Sequence, residues 1–347
     1  MNYLDLFFST LPETVLELAV LLVLVVDLGL LRHAARGTRV TVATVLGVLG
    51  CGLSLLAIPL QPRGGFSYAG VGDLVLAGTG VATIAEIAIL VLTALTLLLL
   101  IDTKFTRHPA EYVSVVLMAA AGGMLISAAQ DLLVIFIGLE LLSLGLYILT
   151  AFAKSSGKSA EAAMKYYLFG GMSAAFLLFG FSYLYGFAGS TSLQKIAAAA
   201  YTPGAIHESP LLYVALVMIA AGLGFKIAAA PFHLWAPDAY EGAPAPAASF
   251  IASVSKVASF ALLISISTAL AHVVLSNTSF SIQVPVGELP RWVGLREPWS
   301  LTLALMAVAS MVIGNLVALA QTSVRRLLAY STVAHAGYML LGLAFFS

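Results

Sequence analysis

The sequence predicts an all-α protein, a polytopic bundle of about ten helices that cross a membrane. Of its 347 residues, 61% are hydrophobic and 9% are charged, and its mean hydropathy is +1.03. Soluble domains are about 25% charged, so this composition excludes a cytosolic enzyme. The apolar residues fall in runs of about 20, the length at which a helix spans a bilayer. These runs lack the alternation of apolar and polar residues that is typical of membrane barrel strands.

Ten apolar segments joined by short connections define the predicted spans. They are 11–31, 39–60, 80–101, 111–128, 132–152, 162–188, 210–230, 244–273, 299–321 and 324–346. The first is not a cleavable signal, because Asp5 but no basic residue precedes it and no small-residue cleavage site follows. The longest connections, 61–79, 189–209 and 274–298, are too short to hold a soluble domain.

Basic residues orient the predicted bundle in the membrane. If the N-terminus lies on the exoplasmic side, ten of the 16 Lys and Arg residues flank the cytoplasmic ends of the spans and four lie in outer loops. The remaining two, Lys226 and Lys256, lie inside the membrane. Because positive charge is enriched on the cytoplasmic side, we expect the N-terminus outside.

Composition and motifs exclude several classes of partner and cofactor. The net charge of zero argues against a nucleic-acid partner. A lone cysteine, Cys51, excludes a disulfide framework and any Cys-rich metal or iron–sulfur site. The chain contains neither a P-loop nor a dinucleotide-binding fingerprint. We therefore expect no metal or cofactor in this chain, and energy that comes from a gradient or from a partner.

Three charged residues lie near the middle of predicted spans: Glu140 in the fifth, Lys226 in the seventh and Lys256 in the eighth. A charge at the bilayer centre costs about 2.5–3.5 kcal/mol, so these groups must face one another or a hydrated interior. A buried lysine can exchange protons near neutral pH, which favours a proton relay. The alternative is a static ion pair between Glu140 and one lysine that only locks helices together. That alternative leaves the second lysine unexplained.

The seventh span is predicted to break just after its lysine. Pro231 frees the carbonyl of Ile227 from helical hydrogen bonding. Broken helices occur in membranes where the backbone lines a polar cavity, as in transporter sites. His233 and Asp238 follow the break and are predicted to lie near the inner interface. They either collect protons there or act as an interfacial cap and turn.

Further polar residues in the spans have two open interpretations. His335 in the tenth span either relays protons, as the histidine side chain can near neutral pH, or is a packed, hydrogen-bonded residue. Like Glu140, it lies seven residues after a Leu-Leu pair, which hints at internal repeats. Lys165 opens the sixth span, as an inner-face anchor or as part of a proton path. Three acidic residues are predicted to be solvated near the ends of their spans: Glu17, Asp27 and Glu86.

A long motif around the predicted break resembles the signature of the antiporter-like, proton-translocating subunits of complex I. It comprises Gly224-Phe225-Lys226, Pro231-Phe232-His233, Trp235, Pro237-Asp238 and Tyr240-Glu241-Gly242-Ala243-Pro244. Its ending is most similar to the N-subunit family of bacterial NADH–quinone oxidoreductase, to which plastid subunit 2 is related. The similarity covers essentially the whole chain and continues through Ser255-Lys256, Gly314-Asn315, Gln321, Arg326-Leu327-Leu328, Tyr330-Ser331 and His335.

The resemblance implies a fold, a set of roles and a set of partners. It implies two inverted five-helix repeats: 1–110 would be an N-terminal three-helix segment, 111–273 the first repeat and 274–347 the start of the second. It implies a relay through Glu140, Lys226, Lys256 and His335, driven by quinone reduction in other subunits. NADH, FMN, iron–sulfur clusters and quinone would bind to partner subunits. The chain would neighbour other membrane subunits in the bacterial inner membrane.

The chain is shorter than the members of this family, and two alternative functions stay open. Family members have more helices, so we expect a second repeat that is cut short and lacks a later relay lysine. One alternative is a subunit of a multisubunit cation/proton antiporter, against which the Tyr240–Pro244 ending argues. The other is a non-conducting assembly fragment.

Overall fold

The computed structural model describes residues 7–61, 68–71, 74–77, 80–200, 210–276 and 296–345 of the chain. These residues form the predicted helical bundle. The helices are α1 Leu11–Gly29, α2 Arg36–Ala57, α3 Gly80–Leu98, α4 Pro109–Ala128, α5 Leu132–Thr150, α6 Gly157–Ala188, α7 Leu193–Ala200, α8 Pro210–Ile227, α9 Trp235–Gly242, α10 Ala245–Ala252, α11 Val254–Ser276, α12 Arg296–Leu319 and α13 Val324–Ala344. A 3₁₀ turn, Ile58–Leu60, extends α2, and two short strands, β1 Tyr68–Val71 and β2 Leu74–Ala77, pair antiparallel.

Within the described part of the chain, nine helical segments are long and apolar enough to cross a membrane. They coincide with nine of the ten predicted spans. The remaining predicted span, 11–31, corresponds to α1. This helix has the expected position but carries Glu13, Glu17 and Asp27 along its length. It nevertheless packs against α2 and α4 as part of the same bundle.

The predicted solvation of acidic residues near helix ends is wrong for two of the three. Asp27 and Glu86 are buried, while Glu17 is exposed as expected. Asp27 is buried because Arg39, on the neighbouring helix α2, forms an ion pair with it through two hydrogen bonds. Sequence position alone does not reveal such a partner on another helix.

Small residues allow the helices to approach closely, which is how membrane helices associate. A Cβ added at Gly122 on α4 would lie 2.7 Å from the backbone nitrogen of Leu142 on α5. A Cβ at Gly314 on α12 would lie 2.6 Å from the backbone nitrogen of Ala334 on α13. Each of these helix pairs therefore packs backbone against backbone.

Hydrogen bonds fix the start of α5, the helix that carries Glu140. Asp131 caps it by accepting from the backbone N–H of Leu133 at 2.8 Å. The other carboxylate oxygen of Asp131 accepts from the hydroxyl of Thr191, in the loop after α6. Leu132 donates its N–H to the carbonyl of Thr191 at 2.9 Å. The loop that follows α6 is thus attached to the first turn of α5.

The predicted break in the seventh span is confirmed. Helix α8 ends at Ile227, residues 228–234 are not helical, and α9 begins at Trp235. Ala228 has a φ of 57°, in the left-handed region that alanine rarely adopts. Ala230 precedes Pro231 through a cis peptide bond and donates its N–H to the hydroxyl of Ser310 on α12 at 2.8 Å.

The predicted eighth span is interrupted as well, which the sequence did not indicate. Helix α10 ends at Ala252 and α11 begins at Val254. Between them, the Ser253 hydroxyl donates to the carbonyl of Ser249 at 2.8 Å. Serine side chains that bond back to the preceding turn bend helices. Lys256 therefore lies in the first turn of α11. The division into 1–110, 111–273 and 274–347 stays a prediction.

Candidate functional site

The break leaves backbone carbonyls at the end of α8 without helical partners, because the last carbonyls of any helix have none. The N–H of Ala228 donates to the Phe225 carbonyl at 3.0 Å, and two side chains supply further donors. The Trp235 indole nitrogen donates to the carbonyl of Phe225 at 2.9 Å. The Lys256 ammonium donates to the carbonyl of Ile227, the one that Pro231 was predicted to free. Lys256 thus bonds the main chain of the residue that directly follows Lys226.

Lys226 is buried and bonds in the opposite direction, towards α5. Its ammonium donates to the hydroxyl of Ser143, which in turn donates to the carbonyl of Leu139. Ser143 follows Glu140 by three residues, so both lie on one face of α5. Sequence analysis missed Ser143, although the spacing from Glu140 was a signal that could have found it.

Glu140 lies beside this arrangement without direct contact. It is half-buried and acts electrostatically on the Lys226 ammonium and on Tyr147. Among the described residues, it forms no ion pair within the usual contact distance of Lys226 or Lys256. In the described structure Lys226 is therefore bonded to Ser143 and not locked to Glu140.

Aromatic rings enclose the two lysines. The rings of Trp235 and Tyr166 are stacked, with centroids 4.2 Å apart and planes 1° from parallel. Tyr147 meets Tyr166 edge-on at 4.8 Å. The Lys256 ammonium lies 6.0 Å from the centre of the Trp235 ring, at the outer limit of a cation–π contact. These rings connect α5, α6 and α9 around the break.

A network of ion pairs closes the end of the site near α9. Asp238 accepts from the Lys165 ammonium at 2.9 Å and from the Arg326 guanidinium at 2.7 Å. Arg326 also reaches Glu241 at 3.2 Å, and Lys165 pairs with Glu161 at 2.8 Å. The network joins α6, α9 and α13.

Asp238 is held as a carboxylate by this network. Burial alone would raise its pKa, but the hydrogen bonds from Lys165 and Arg326 outweigh burial and lower the pKa below its ordinary value. A carboxylate bridged by two cations is a poor collector of protons. The geometry therefore favours the interpretation of Asp238 and Lys165 as anchors that connect helices.

The two histidines lie outside the lysine arrangement. His233 is buried in the break, its Nδ1 has no hydrogen-bond partner, and its ring centre is 6.1 Å from that of Tyr330. His335 is exposed on α13, where its Nδ1 lies 2.7 Å from the carbonyl of Ser331. The described structure brings neither histidine into contact with Lys256.

The described residues include no group of three or more His, Cys, Asp or Glu side chains that could hold a metal ion. The chemistry of the site lies in its carboxylate, hydroxyl and ammonium groups and in the carbonyl exposed by the break. The carboxylate and ammonium groups can exchange protons, and the hydroxyl and the carbonyl can accept hydrogen bonds from them.

A family model described as "NADH:quinone oxidoreductase/Mrp antiporter, TM" matches residues 129–285 and 290–347. The chain is 47% identical to "NADH-quinone oxidoreductase subunit N 2" of Acidobacterium capsulatum, over 99% of this chain and 67% of that protein. It is 38% identical to "NAD(P)H-quinone oxidoreductase subunit 2" of Nostoc punctiforme, over 96% of this chain and 58% of that one. The chain thus spans about three fifths to two thirds of the length of these relatives.

Solved structures agree with these matches. A chain of respiratory complex I from Thermus thermophilus, solved with bound aureothin, superposes with a TM-score of 0.72 at 32% identity, over 96% of this chain and 64% of that one. A chain of the Mrp complex from Dietzia shares the fold at 21% identity, with a TM-score of 0.73, over 97% of this chain and 34% of that one. The motif around the break, the helix order and these similarities together show that the chain belongs to the transmembrane family shared by NADH:quinone oxidoreductases and Mrp antiporters.

Proposed function

We propose that this chain is a proton-translocating membrane subunit of a NADH–quinone oxidoreductase of the complex I type. One observation carries the proposal: two buried lysines lie at the break, Lys226 just before it and Lys256 bonded to the Ile227 carbonyl that it exposes. An ammonium in the membrane interior is costly, and the residues that carry one there commonly mark ion or proton paths. The 47% identity to a subunit N protein favours this assembly.

The proposed path begins at Glu140 and Ser143 on α5. A proton on the Lys226 ammonium is held by the Ser143 hydroxyl and attracted by the nearby Glu140 carboxylate. When Glu140 loses its charge or its proximity, the ammonium is less stabilised and releases its proton. Lys256 receives this proton across the break when it is a neutral amine, whose nitrogen contacts the Ile227 carbonyl.

His335 is proposed as the next group beyond Lys256, and His233 as a group at the inner end of the path. Neither contacts a lysine among the described residues, so water would carry the proton across the intervening distance. Lys165 and Asp238 are proposed as anchors at the inner end. The N-terminal segment 1–110 is proposed to flank the conducting repeat 111–273, and 274–347 to begin a second repeat.

The partners and surroundings follow from the same proposal. This chain would neighbour other membrane subunits of the complex, while NADH, FMN, iron–sulfur clusters and quinone would bind to partners. No redox centre is assigned to this chain. The chain is a multi-pass membrane protein, and we place it in the bacterial inner membrane with its N-terminus outside, as its basic residues indicate.

The test measures quinone-coupled proton uptake per electron in vesicles that contain the assembled complex. We expect Lys226→Ala and Glu140→Ala each to lower this ratio, because each removes a group that the proposed proton path requires. The matched control is Lys154→Ala, because Lys154 is exposed in the loop between α5 and α6. Assembly is followed in parallel by recovery of the partner subunits.

Two results would contradict the proposal. Normal pumping in both variants, with a normally assembled complex, would favour a non-conducting assembly role. Loss of sodium-coupled transport, in a chain that copurifies with no flavin or iron–sulfur subunit, would favour the cation/proton antiporter, whose fold the Mrp chain shares.

A further inference from the structure

The loop that follows α8 is held partly by its own backbone. The N–H groups of Ala228 and Ala229 donate to the carbonyls of Phe225 and Gly224, at 3.0 and 2.8 Å. These two bonds close the last turn of α8 and involve no other helix. The N–H of Ala230, the next residue, instead bonds to a side chain on another helix.

Ser310 on α12 is the residue that accepts from Ala230. The N–H of Ala230 donates to the Ser310 hydroxyl at 2.8 Å, and this hydroxyl donates in turn to the carbonyl of Met306 at 2.6 Å. Ser310 and Ala230 are both 0% exposed. Because the hydroxyl proton is committed to Met306, a lone pair of the oxygen is left for Ala230. Without this acceptor a buried N–H would lack the partner that such groups nearly always have.

Helix α12 packs closely beside the end of α8. A Cβ added at Gly224 would lie 2.4 Å from the terminal methyl group of Met306. Met306 and Ser310 are four residues apart and therefore share one face of α12. This face contacts the last turn of α8 through Met306 and the loop through Ser310.

Helix α12 is also attached to α11, the helix that carries Lys256. The indole N–H of Trp299 on α12 donates to the hydroxyl of Ser267 on α11 at 2.9 Å. Lys256, at the start of α11, donates to the Ile227 carbonyl. Three hydrogen bonds therefore form a closed ring, from α11 to the loop, from the loop to α12 and from α12 back to α11.

We propose that Ser310 is a positioning residue for the relay. By holding the N–H of Ala230, it keeps the Ile227 carbonyl, three residues earlier, where the Lys256 ammonium reaches it. This role rests on the proposed function, in which Lys256 receives the proton from Lys226. It also gives the segment 274–347, to which α12 belongs, a direct contact with the relay of the segment 111–273.

Two substitutions at Ser310 separate its hydrogen bond from its volume. Ser310→Cys nearly keeps the size but replaces a strong acceptor by a weak one, whereas Ser310→Thr keeps the hydroxyl. In vesicles with the assembled complex, we expect Ser310→Cys to lose initial rate of quinone-coupled proton uptake and Ser310→Thr to recover it. The matched control is Thr302→Val, because the Thr302 hydroxyl donates to the Pro298 carbonyl of its own helix at 2.7 Å. Recovery of the partner subunits shows that each variant assembles.

Hydrogen exchange measures the hydrogen bond itself, independently of proton pumping. Mass spectrometry of the peptide that covers 228–232, taken from the assembled complex, reports how readily the N–H of Ala230 opens. We expect exchange at Ala230 to be about fivefold or more faster in Ser310→Cys, the scale of one lost hydrogen bond. Exchange in Ser310→Thr and Thr302→Val should match that of the natural protein.

Three results would contradict the role of Ser310. Unchanged exchange in Ser310→Cys would show that the hydroxyl does not hold the loop. A normal pumping rate despite faster exchange would show that it holds the loop without positioning the relay. Equal losses of rate in Ser310→Thr and Ser310→Cys would indicate packing instead of the hydroxyl. The proposed function is tested separately, by pumping in Lys226→Ala and Glu140→Ala.

Discussion

At the residue scale, the ammonium of Lys226 depends on a hydroxyl that is not itself ionisable. Ser143 accepts from Lys226 and donates to the carbonyl of Leu139, so its proton and its lone pair are both engaged. A hydroxyl that accepts one hydrogen bond while it donates another can stabilise an ammonium and orient it towards Glu140, three residues earlier on α5.

We predict that Ser143→Ala slows proton translocation without preventing assembly. The lost hydrogen bond to a charged group is worth about 1.5–3 kcal/mol, which corresponds to about tenfold or more in rate. The initial rate of quinone-coupled proton uptake in vesicles measures the effect. Ser127→Ala is the control, because Ser127 is also buried but its hydroxyl only donates to the Met124 carbonyl in its own helix. Equal effects of the two substitutions would remove Ser143 from the path.

The carboxylate of Asp238 gives the protein a predictable response to acid. Because the pKa of Asp238 is lowered in the folded protein, its stabilising effect is full above the ordinary carboxyl pKa and is lost as the pH falls through the lowered value. Asp238→Asn should lower the melting temperature at neutral pH, and the difference from the natural protein should shrink in acid.

Thermal unfolding in detergent over a series of pH values measures this difference. Glu161→Gln is the control: Glu161 pairs with the same lysine, Lys165, but is largely exposed, and such surface pairs contribute about 0–1 kcal/mol. A difference between Asp238→Asn and the natural protein that persists unchanged in acid would contradict the assignment of Asp238 as an ionised anchor.

At the element scale, backbone contact between helices decides where a methyl group is tolerated. We predict that Gly122→Ala destabilises the bundle by about 1–3 kcal/mol, because the added carbon would meet the backbone of α5 and neither helix can yield locally. Gly171→Ala on α6, where the added carbon meets nothing within 4 Å, should be neutral or stabilising by up to about 1 kcal/mol. Chemical unfolding in detergent compares them, and equal stabilities would contradict the close packing of α4 on α5.

Hydrophobic length and one proline were enough to predict most elements. The span limits and the break after Ile227 follow from local properties of the chain, because helix length is set by the bilayer and Pro231 removes a backbone donor. The interruption at Ser253 and the contact with Ser143 could not be derived in the same way. Both depend on hydroxyl orientations that many serines in helices share without such effects.

At the scale of the whole molecule, burial of charges depended on partners from distant parts of the sequence. Glu140, Lys226 and Lys256 were predicted as a group because a charge in mid-span is conspicuous. Glu86 was placed near a span end and expected to be solvated, yet it is buried on a helix that packs against α2 and α4. Sequence position measures depth along a helix, whereas burial depends on which face the neighbouring helices cover.

The orientation of the bundle in the membrane can be tested by thiol labelling of introduced cysteines. Cys51 is buried, so it contributes little background to thiol labelling by membrane-impermeant reagents. We predict that Lys154→Cys is labelled only from the cytoplasmic side and Gln194→Cys only from the exoplasmic side. Both positions are exposed, and Lys154 lies just before α6 whereas Gln194 lies in α7, which follows it. Labelling in the reverse pattern would invert the predicted topology.

The contact between Lys256 and the main chain at position 227 makes part of the proposed relay invisible to side-chain mutagenesis. The acceptor is a peptide oxygen, so replacing Ile227 by any other amino acid leaves it in place. A scan of this region would therefore report only the packing of the buried Ile227 side chain, and not the carbonyl that contacts Lys256. Only a change to the backbone itself, such as an ester in place of the following amide, weakens that oxygen as an acceptor. The same property protects the contact during evolution, because point mutation at this position cannot delete it.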